Sequence, residues 1–373
     1  MQVNQSKILP QRLHALDALR GFDMFWIMGA EEIFKAVFKA TGSPFWGAIA
    51  TQFDHPEWNG FHFYDLIFPL FLFIAGVATP YSVGRELDKG IPRHLLLWRV
   101  TKRAMILVLL GLVVNNGLVI KPIAEIRFGS VLGRIGLAYL FANIIFIYTS
   151  RQSVRLVWFF FFLIGYWLLL KFNAAPGFQA GDLSQSGNFA SYLDRLIMPG
   201  KLYRGNHDPE GLASTIPAIS TGLLGVLTGS FLKNSSLTGN QKVFRMVIAA
   251  VISLGIAAVW NLDFPVNKNL WSSSFVMYVG GLSLLLLAIF YYIIDVRGYQ
   301  QWAFFFKVIG MNSILIYMSD HFINWEYTTR ESFGWLLQLT GENWGMVLLV
   351  VCYVGIKWGF LYFMYLKKVF LRI

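Results

Sequence analysis

An all-α protein that crosses a lipid bilayer about ten times is the architecture this sequence predicts, as one membrane domain over residues 1–373. Three observations carry it. Charged residues make up 14% of the chain against 56% hydrophobic, whereas a soluble globule carries about a quarter charged residues. Apolar runs of near-spanning length recur from one end to the other. The basic residues between those runs gather in alternate loops, as they do in a chain threaded back and forth across a membrane.

The candidate spans lie at 17–39, 63–84, 101–120, 131–149, 154–171, 212–232, 244–262, 270–294, 306–325 and 345–366. Several apolar cores are shorter than the roughly 20 residues a span needs, so flanking residues or tilt complete them. One alternate set of loops holds eighteen Lys and Arg, including Lys7, Arg12, the Arg85–Arg103 segment and Lys367, Lys368 and Arg372. The opposite set holds eight, among them Lys121, Arg127, Arg204 and Lys268, although it includes the long, turn-rich 172–211 loop. The positive-inside rule then places both termini in the cytoplasm, and in a bacterium the host membrane is the inner, plasma membrane. The net charge of +11 reads as those loops and not as a nucleic-acid surface. The N-terminal segment has no signal-peptide core, so insertion is expected to use the first span. The sequence leaves a homodimer open.

One cysteine, Cys352, excludes a disulfide framework and a Cys zinc site, and no HExxH or CxxC spacing supports a metal. There is no Walker A pattern. Ionisable groups inside spans are expensive and are functional candidates by default. Glu31 and Glu32, Asp65, and Asp320 with His321 all sit at outer depth in this topology. With His55 they are expected to line one outward-facing pocket. His55 precedes a Pro and a Trp-Asn-Gly turn that would hold it over the helix mouth, and a histidine side chain can take and return a proton. His62 and His207 are lesser candidates. His14 and His94 read as ordinary interface residues.

Six blocks carry a family resemblance. They are RLHALDALRGF at 12–22, HPEWNGFHFYDLIFPLFLFIAG at 55–76, RFGSVLGRIGLAY at 127–139, DPEGLASTIPAI at 208–219, FPVNKNLWSSSFV at 264–276 and GMNSILIY at 310–317. In this order they resemble the heparan-α-glucosaminide N-acetyltransferases and their bacterial relatives. The resemblance implies an integral-membrane acyltransferase. It would take acetyl from cytosolic acetyl-CoA, with no metal, and pass it to the amine of an amino sugar or glycan on the far side. It also implies that His55 is the family histidine and Asp65 the aspartate of its DLxFP motif. Trp58, Asn59, Asp208, Glu210, Asn267, Lys268 and Asn269 fall in its acceptor-side blocks. Two departures sit where an acceptor would bind: Glu31 stands where the family has an Asn, and Asp320-His321 reverses the order of a family pair.

On this reading His55 is the general base and Glu31 or Asp65 orients its imidazole. Asp320 and His321 complete the acceptor side. Arg20, Arg99, Arg103 and Arg134 are the candidates for the phosphates of acetyl-CoA, because guanidinium groups hold phosphates well. Arg134 is alternatively a structural ion pair with Asp65 or Glu31. An O-acyltransferase acting on glycan hydroxyls shares the chemistry. A transporter would instead gather its polar groups at the bilayer midplane.

Overall fold

The computed structural model describes residues 13–371. Lys7, Arg12, Arg372 and the N-terminal segment read for its lack of a leader lie outside them. Helices in chain order are α1 (His14–Phe25), α2 (Glu31–Thr41), α3 (Pro44–Thr51), α4 (Ile67–Ala78), α5 (Val83–Asp88), α6 (Arg93–Asn116), α7 (Val131–Tyr148), α8 (Gln152–Phe172) and α9 (Phe189–Ile197). They continue as α10 (Thr215–Leu232), α11 (Gly239–Trp260), α12 (Ser273–Tyr291), α13 (Phe304–Gly310), α14 (Ser313–Ser319), α15 (Trp325–Phe333), α16 (Leu336–Thr340) and α17 (Glu342–Leu366). Among the described residues there is no β-strand, only an isolated bridge between Arg127 and Gly200.

Among the described residues, seven helical segments are long and apolar enough to cross a membrane. The protein is therefore a multi-pass, all-α membrane protein. The other three expected spans depart for separate physical reasons. The span at 17–39 is α1 and α2 joined by a π turn, Trp26–Ala30, in which Gly29 takes φ 117°. A side chain there would be strained, and its Cβ would fall 2.6 Å from the Tyr353 ring. The span at 101–120 is the end of α6, a 24-residue helix whose first turns carry Arg93, Arg99, Lys102 and Arg103. The span at 306–325 is broken at Asn312 into α13 and α14. The Asn312 amide donates to the Val369 carbonyl at 3.0 Å, and its oxygen accepts from Leu371 N–H at 3.0 Å, so the break is tied to the C-terminal tail.

Burial sorts the helices into a centre and a rim. In the segments Phe63–Asp88 and Thr215–Leu232, 72% of the apolar window is buried, against 22% in Gly239–Trp260. The central pair approaches closely because small residues line the crossing: a Cβ on Gly225 would fall 2.1 Å from the Phe73 carbonyl oxygen. The rim helices α8 and α11 turn Val157, Phe161, Val251 and Val259 outward, where lipid takes the place of a core.

Candidate functional site

The site lies at the end of the bundle that carries the 173–214 loop, and four loops build it. His55 sits between α3 and α4. Its loop is seated by aromatic packing: Phe53 stacks on Phe34 and meets Trp26, both at 5.1 Å between ring centres. A short 3₁₀ turn, Phe63–Leu66, then enters α4. Asp65 is the third residue of that turn, and its Oδ2 accepts the His62 backbone N–H at 3.0 Å. Its other oxygen accepts from His55 Nδ1 at 2.7 Å. The Asp65 side chain is fully buried, while 46% of His55 is exposed. A buried carboxylate thus fixes an accessible imidazole. Because Nδ1 donates to Asp65, the neutral ring carries its lone pair on Nε2.

The loop between α11 and α12 brings Lys268 onto that ring. Its Nζ lies 2.9 Å from His55 Nε2, 3.2 Å from Nδ1 and 3.5 Å from Asp65 Oδ1. Burial pulls the Lys268 ammonium below its ordinary range, opposed by Asp65 and Glu210. The two loops are clamped together. Asn267 Nδ2 donates to Asn59 Oδ1 at 3.0 Å, and Gly60 N–H donates to the Val266 carbonyl at 2.9 Å. Trp271, next in this turn, takes φ 51°, a left-handed conformation that costs a non-glycine residue about 1–3 kcal/mol. Burial of its indole against Phe68 and Phe275, at 4.8 and 5.4 Å, offsets that strain.

The rim comes from the loops after α6 and α9. Arg127 donates through Nε and Nη2 to the two oxygens of Asp208 at 2.9 and 2.8 Å, and through Nη2 to Glu210 at 2.5 Å. Its guanidinium lies 4.4 Å from the centre of the Tyr203 ring. Burial alone would raise the Asp208 carboxyl, but Arg127 outweighs it and holds the group below the usual carboxylate range. His55, Trp58, Asp65, Arg127, Arg204, Glu210, Lys268 and Asn269 line one cavity of about 360 Å³. Its apolar lining comes from Ile27, Ile67, Phe68 and Val131, and Tyr64 and Tyr317 line it as well.

The expected single pocket is two cavities. Glu31, Glu32 and Asp320 line a second one of about 460 Å³, with Glu326, Arg330 and Tyr353, and Ile27 borders both. Asp65, not Glu31, is the carboxylate bonded to His55. Asp320 pairs with Lys357 at 2.6 Å, and His321 borders a neighbouring recess with Asp320 and Glu326. Asp208 is committed to Arg127 and two backbone N–H groups. Asn267 and Asn59 are committed to each other. Trp58 lines the first cavity while its indole donates to the Leu183 carbonyl at 2.8 Å.

The basic candidates lie elsewhere. Arg99 pairs with Glu86 at 2.8 Å, Arg103 stacks over Tyr139 at 4.8 Å, and Arg20 lies 3.8 Å from Asp17. None of the three lines the His55 cavity. Arg134 is buried over Trp271 at 4.9 Å and donates to the Gly211 carbonyl and the Ser214 hydroxyl, instead of pairing with Asp65 or Glu31. His62 Nδ1 meets the Asp54 carbonyl at 3.0 Å. His207 is buried against Ser191, and desolvation lowers it to about 4. Among the described residues no three His, Cys, Asp or Glu form a metal-holding group. Sequence reasoning passed over Arg127, Tyr203 and Tyr317 as site residues. The opening of the 127–139 block was the available signal for Arg127.

A family model described as the catalytic region of heparan-alpha-glucosaminide N-acetyltransferase matches residues 12–260. His55, Asp65, Arg127, Asp208 and Glu210 fall inside the match; Lys268, Asn269 and Asp320 fall beyond it. The chain is 26% identical to the heparan-alpha-glucosaminide N-acetyltransferase of Homo sapiens over 422 aligned positions, which cover 98% of this chain and 60% of that protein. To the Mus musculus protein of the same name it is 28% identical over 360 positions, 82% of this chain and 53% of that one. The chain thus spans little more than half the length of these relatives. With two-thirds of its residues inside the model, the chain belongs to the family defined by the catalytic region of heparan-alpha-glucosaminide N-acetyltransferase.

Proposed function

We propose that the chain is one integral-membrane acetyltransferase domain that moves acetyl from cytosolic acetyl-CoA to the amine of an amino sugar or glycan, with His55 as general base. The observation that carries this reading is the His55–Asp65 pair opening onto a walled cavity inside the family's catalytic region. The acceptor nitrogen attacks the thioester carbonyl carbon. His55 Nε2 takes the proton it sheds, the C–S bond breaks, and the thiolate leaves. Asp65 holds Nδ1–H and stabilises the imidazolium that forms. The apolar wall of Ile27, Ile67, Phe68 and Val131 suits a pantetheine arm, and the rim of Arg127, Arg204, Glu210 and Asn269 suits a hydroxylated acceptor.

Purified protein in detergent, given acetyl-CoA and glucosamine, is expected to release CoA. His55→Ala is expected to lower that rate by about 10² to 10⁴, and a wild-type rate in the variant would overturn the base assignment. Transfer to N-acetylglucosamine, whose nitrogen is already acylated, would move the reading to hydroxyl acylation. Both termini are proposed to face the cytoplasm. Ala174, exposed just beyond α8, replaced by Cys in a Cys352→Ser background, is then labelled by an impermeant maleimide on intact cells. Labelling only after lysis would reverse the orientation.

A further inference from the structure

Lys268 is a cation whose hydrogen-bond capacity is largely unspent. Its Nζ lies 2.9 Å from Nε2 and 3.2 Å from Nδ1 of His55. Such similar distances place it over the face of the imidazole and leave the in-plane lone pair of Nε2 free to act as base. Asp65 Oδ1, at 3.5 Å, attracts the ammonium from beyond ordinary hydrogen-bond length. An ammonium carries three donors, and none of these contacts offers one a close lone pair. The Lys357 ammonium, by comparison, reaches Asp320, the Tyr353 hydroxyl and the Met28 carbonyl at 2.6, 2.6 and 3.0 Å. The Lys268 side chain is only 19% exposed and lines the His55 cavity. A cation so withdrawn from water is costly unless a partner completes its bonds. Its loop is held in advance of any ligand by the Asn59–Asn267 and Gly60–Val266 bonds.

We propose that Lys268 is a catalytic residue that holds the oxyanion formed when the acceptor attacks the acetyl thioester. This rests on the acetyltransferase reading. An acceptor nitrogen that gives its proton to Nε2 lies in the ring plane at hydrogen-bond distance, and so roughly 4 Å from an ammonium seated above the ring. The thioester carbon it attacks is one bond further on, and the carbonyl oxygen, turned to the lysine's side of the ring, comes within reach of Nζ. As the nitrogen attacks, the carbonyl π pair moves onto oxygen and meets the ammonium, and Nε2 takes the proton from nitrogen. The pair then returns, the C–S bond breaks and the thiolate leaves. The ammonium gives up no proton in this sequence. Asp65, against both side chains, balances its charge beside the imidazole. Of the other cations lining the cavity, Arg127 is spent on Asp208 and Glu210, and Arg204 is exposed.

Steady-state kinetics of the full chain in detergent, with acetyl-CoA and glucosamine, test this. Lys268→Met is expected to lower kcat by about 10² to 10³, the cost of removing one oxyanion donor. Both KM values should change little, because the contact forms only as the oxyanion does. A kcat near wild type, or a loss carried by KM alone, overturns the assignment. Lys268→Arg separates charge from structure. Burial holds the Lys268 ammonium below its ordinary range, and the charged or titratable groups around it are His55, Asp65, Glu210 and Arg134. Wild-type kcat is expected to fall at alkaline pH as this ammonium loses its proton, and Lys268→Arg, which stays charged, is expected to lose that fall. The same alkaline fall in both proteins overturns the role of the charge. A wild type that transfers acetyl to no acceptor overturns the acetyltransferase reading and this proposal together. An active wild type beside an unimpaired Lys268→Met overturns the proposal alone. Should Lys268→Met not give a monodisperse protein, Lys268→Gln is measured in the same way.

Discussion

Two of the molecule's aspartate–lysine pairs, near the same end of the bundle, are built to opposite effect. At the first, Asp65 and Lys268 lie 3.5 Å apart with the exposed imidazole of His55 against both. At the second, Asp320 and Lys357 lie 2.6 Å apart, and the lysine is fully buried. Lys357 also donates to the Tyr353 hydroxyl at 2.6 Å and to the Met28 carbonyl at 3.0 Å, beside the π turn. That lysine joins the kinked first span, the end of the broken α14 and α17. The same pair of residue types thus leaves a third group, an imidazole, accessible in one place, and in the other spends every lysine donor on the fold.

Several substitutions would break or sharpen this contrast. Asp65→Asn is expected to lower acetyl transfer by at least about a hundredfold, because it removes the partner that orients His55. A variant that loses its fold and not its rate would assign Asp65 to architecture. Asp320→Asn should do the reverse and cost about 3 kcal/mol of stability, since it leaves a buried ammonium without its counter-ion. Lys357→Met removes that charge and keeps the length, so it should cost less than Asp320→Asn in thermal unfolding. The opposite order would show that the ion pair is not what holds the kink.

A further pair of substitutions concerns pH. Desolvation lowers His207 from 6.5 to about 4 and raises Asp194 from 3.8 to about 6. Each shift is worth about 3 kcal/mol, of opposite sign. The His207 contribution is complete above pH 6.5 and is lost as pH falls towards 4. The Asp194 contribution is complete below pH 3.8 and is lost as pH rises through 6. The two nearly cancel. Relative to wild type, Asp194→Asn should therefore lose stability on acidification from pH 7 to 4.5, and His207→Gln should gain it. Equal slopes in the two variants would refute the assignment.

The smallest effect is expected at the rim. Arg127→Lys keeps the charge but loses the forked contact to Asp208 and Glu210, and should cost about 1–2 kcal/mol while raising the acceptor KM more than it lowers kcat.

Much of the site nearest the chain's own local chemistry was legible beforehand. His55 and Asp65 are ten residues apart, and the short turn entering α4 makes their meeting a local event. Lys268 was marked as an acceptor-side residue, but its contact with His55 spans 213 positions and no pattern encodes it. Glu31 and Asp65 stand at similar depth in neighbouring spans, so depth alone did not tell which carboxylate meets the imidazole. The packing of α4 against its neighbours settles that, and it sends Glu31 to the second cavity.

The spans divide in the same way. Composition by itself determined that the chain is helical and lies in a bilayer, because transfer of apolar side chains out of water depends on residue type and run length, not on neighbours. Where a helix bends, breaks or turns inward depends on contacts between distant segments: Tyr353 over Gly29, the C-terminal tail on Asn312, Phe73 against Gly225. Tertiary structure decided these, and with them the division into two cavities, because close packing and paired charges are properties of two surfaces meeting and belong to neither sequence segment alone.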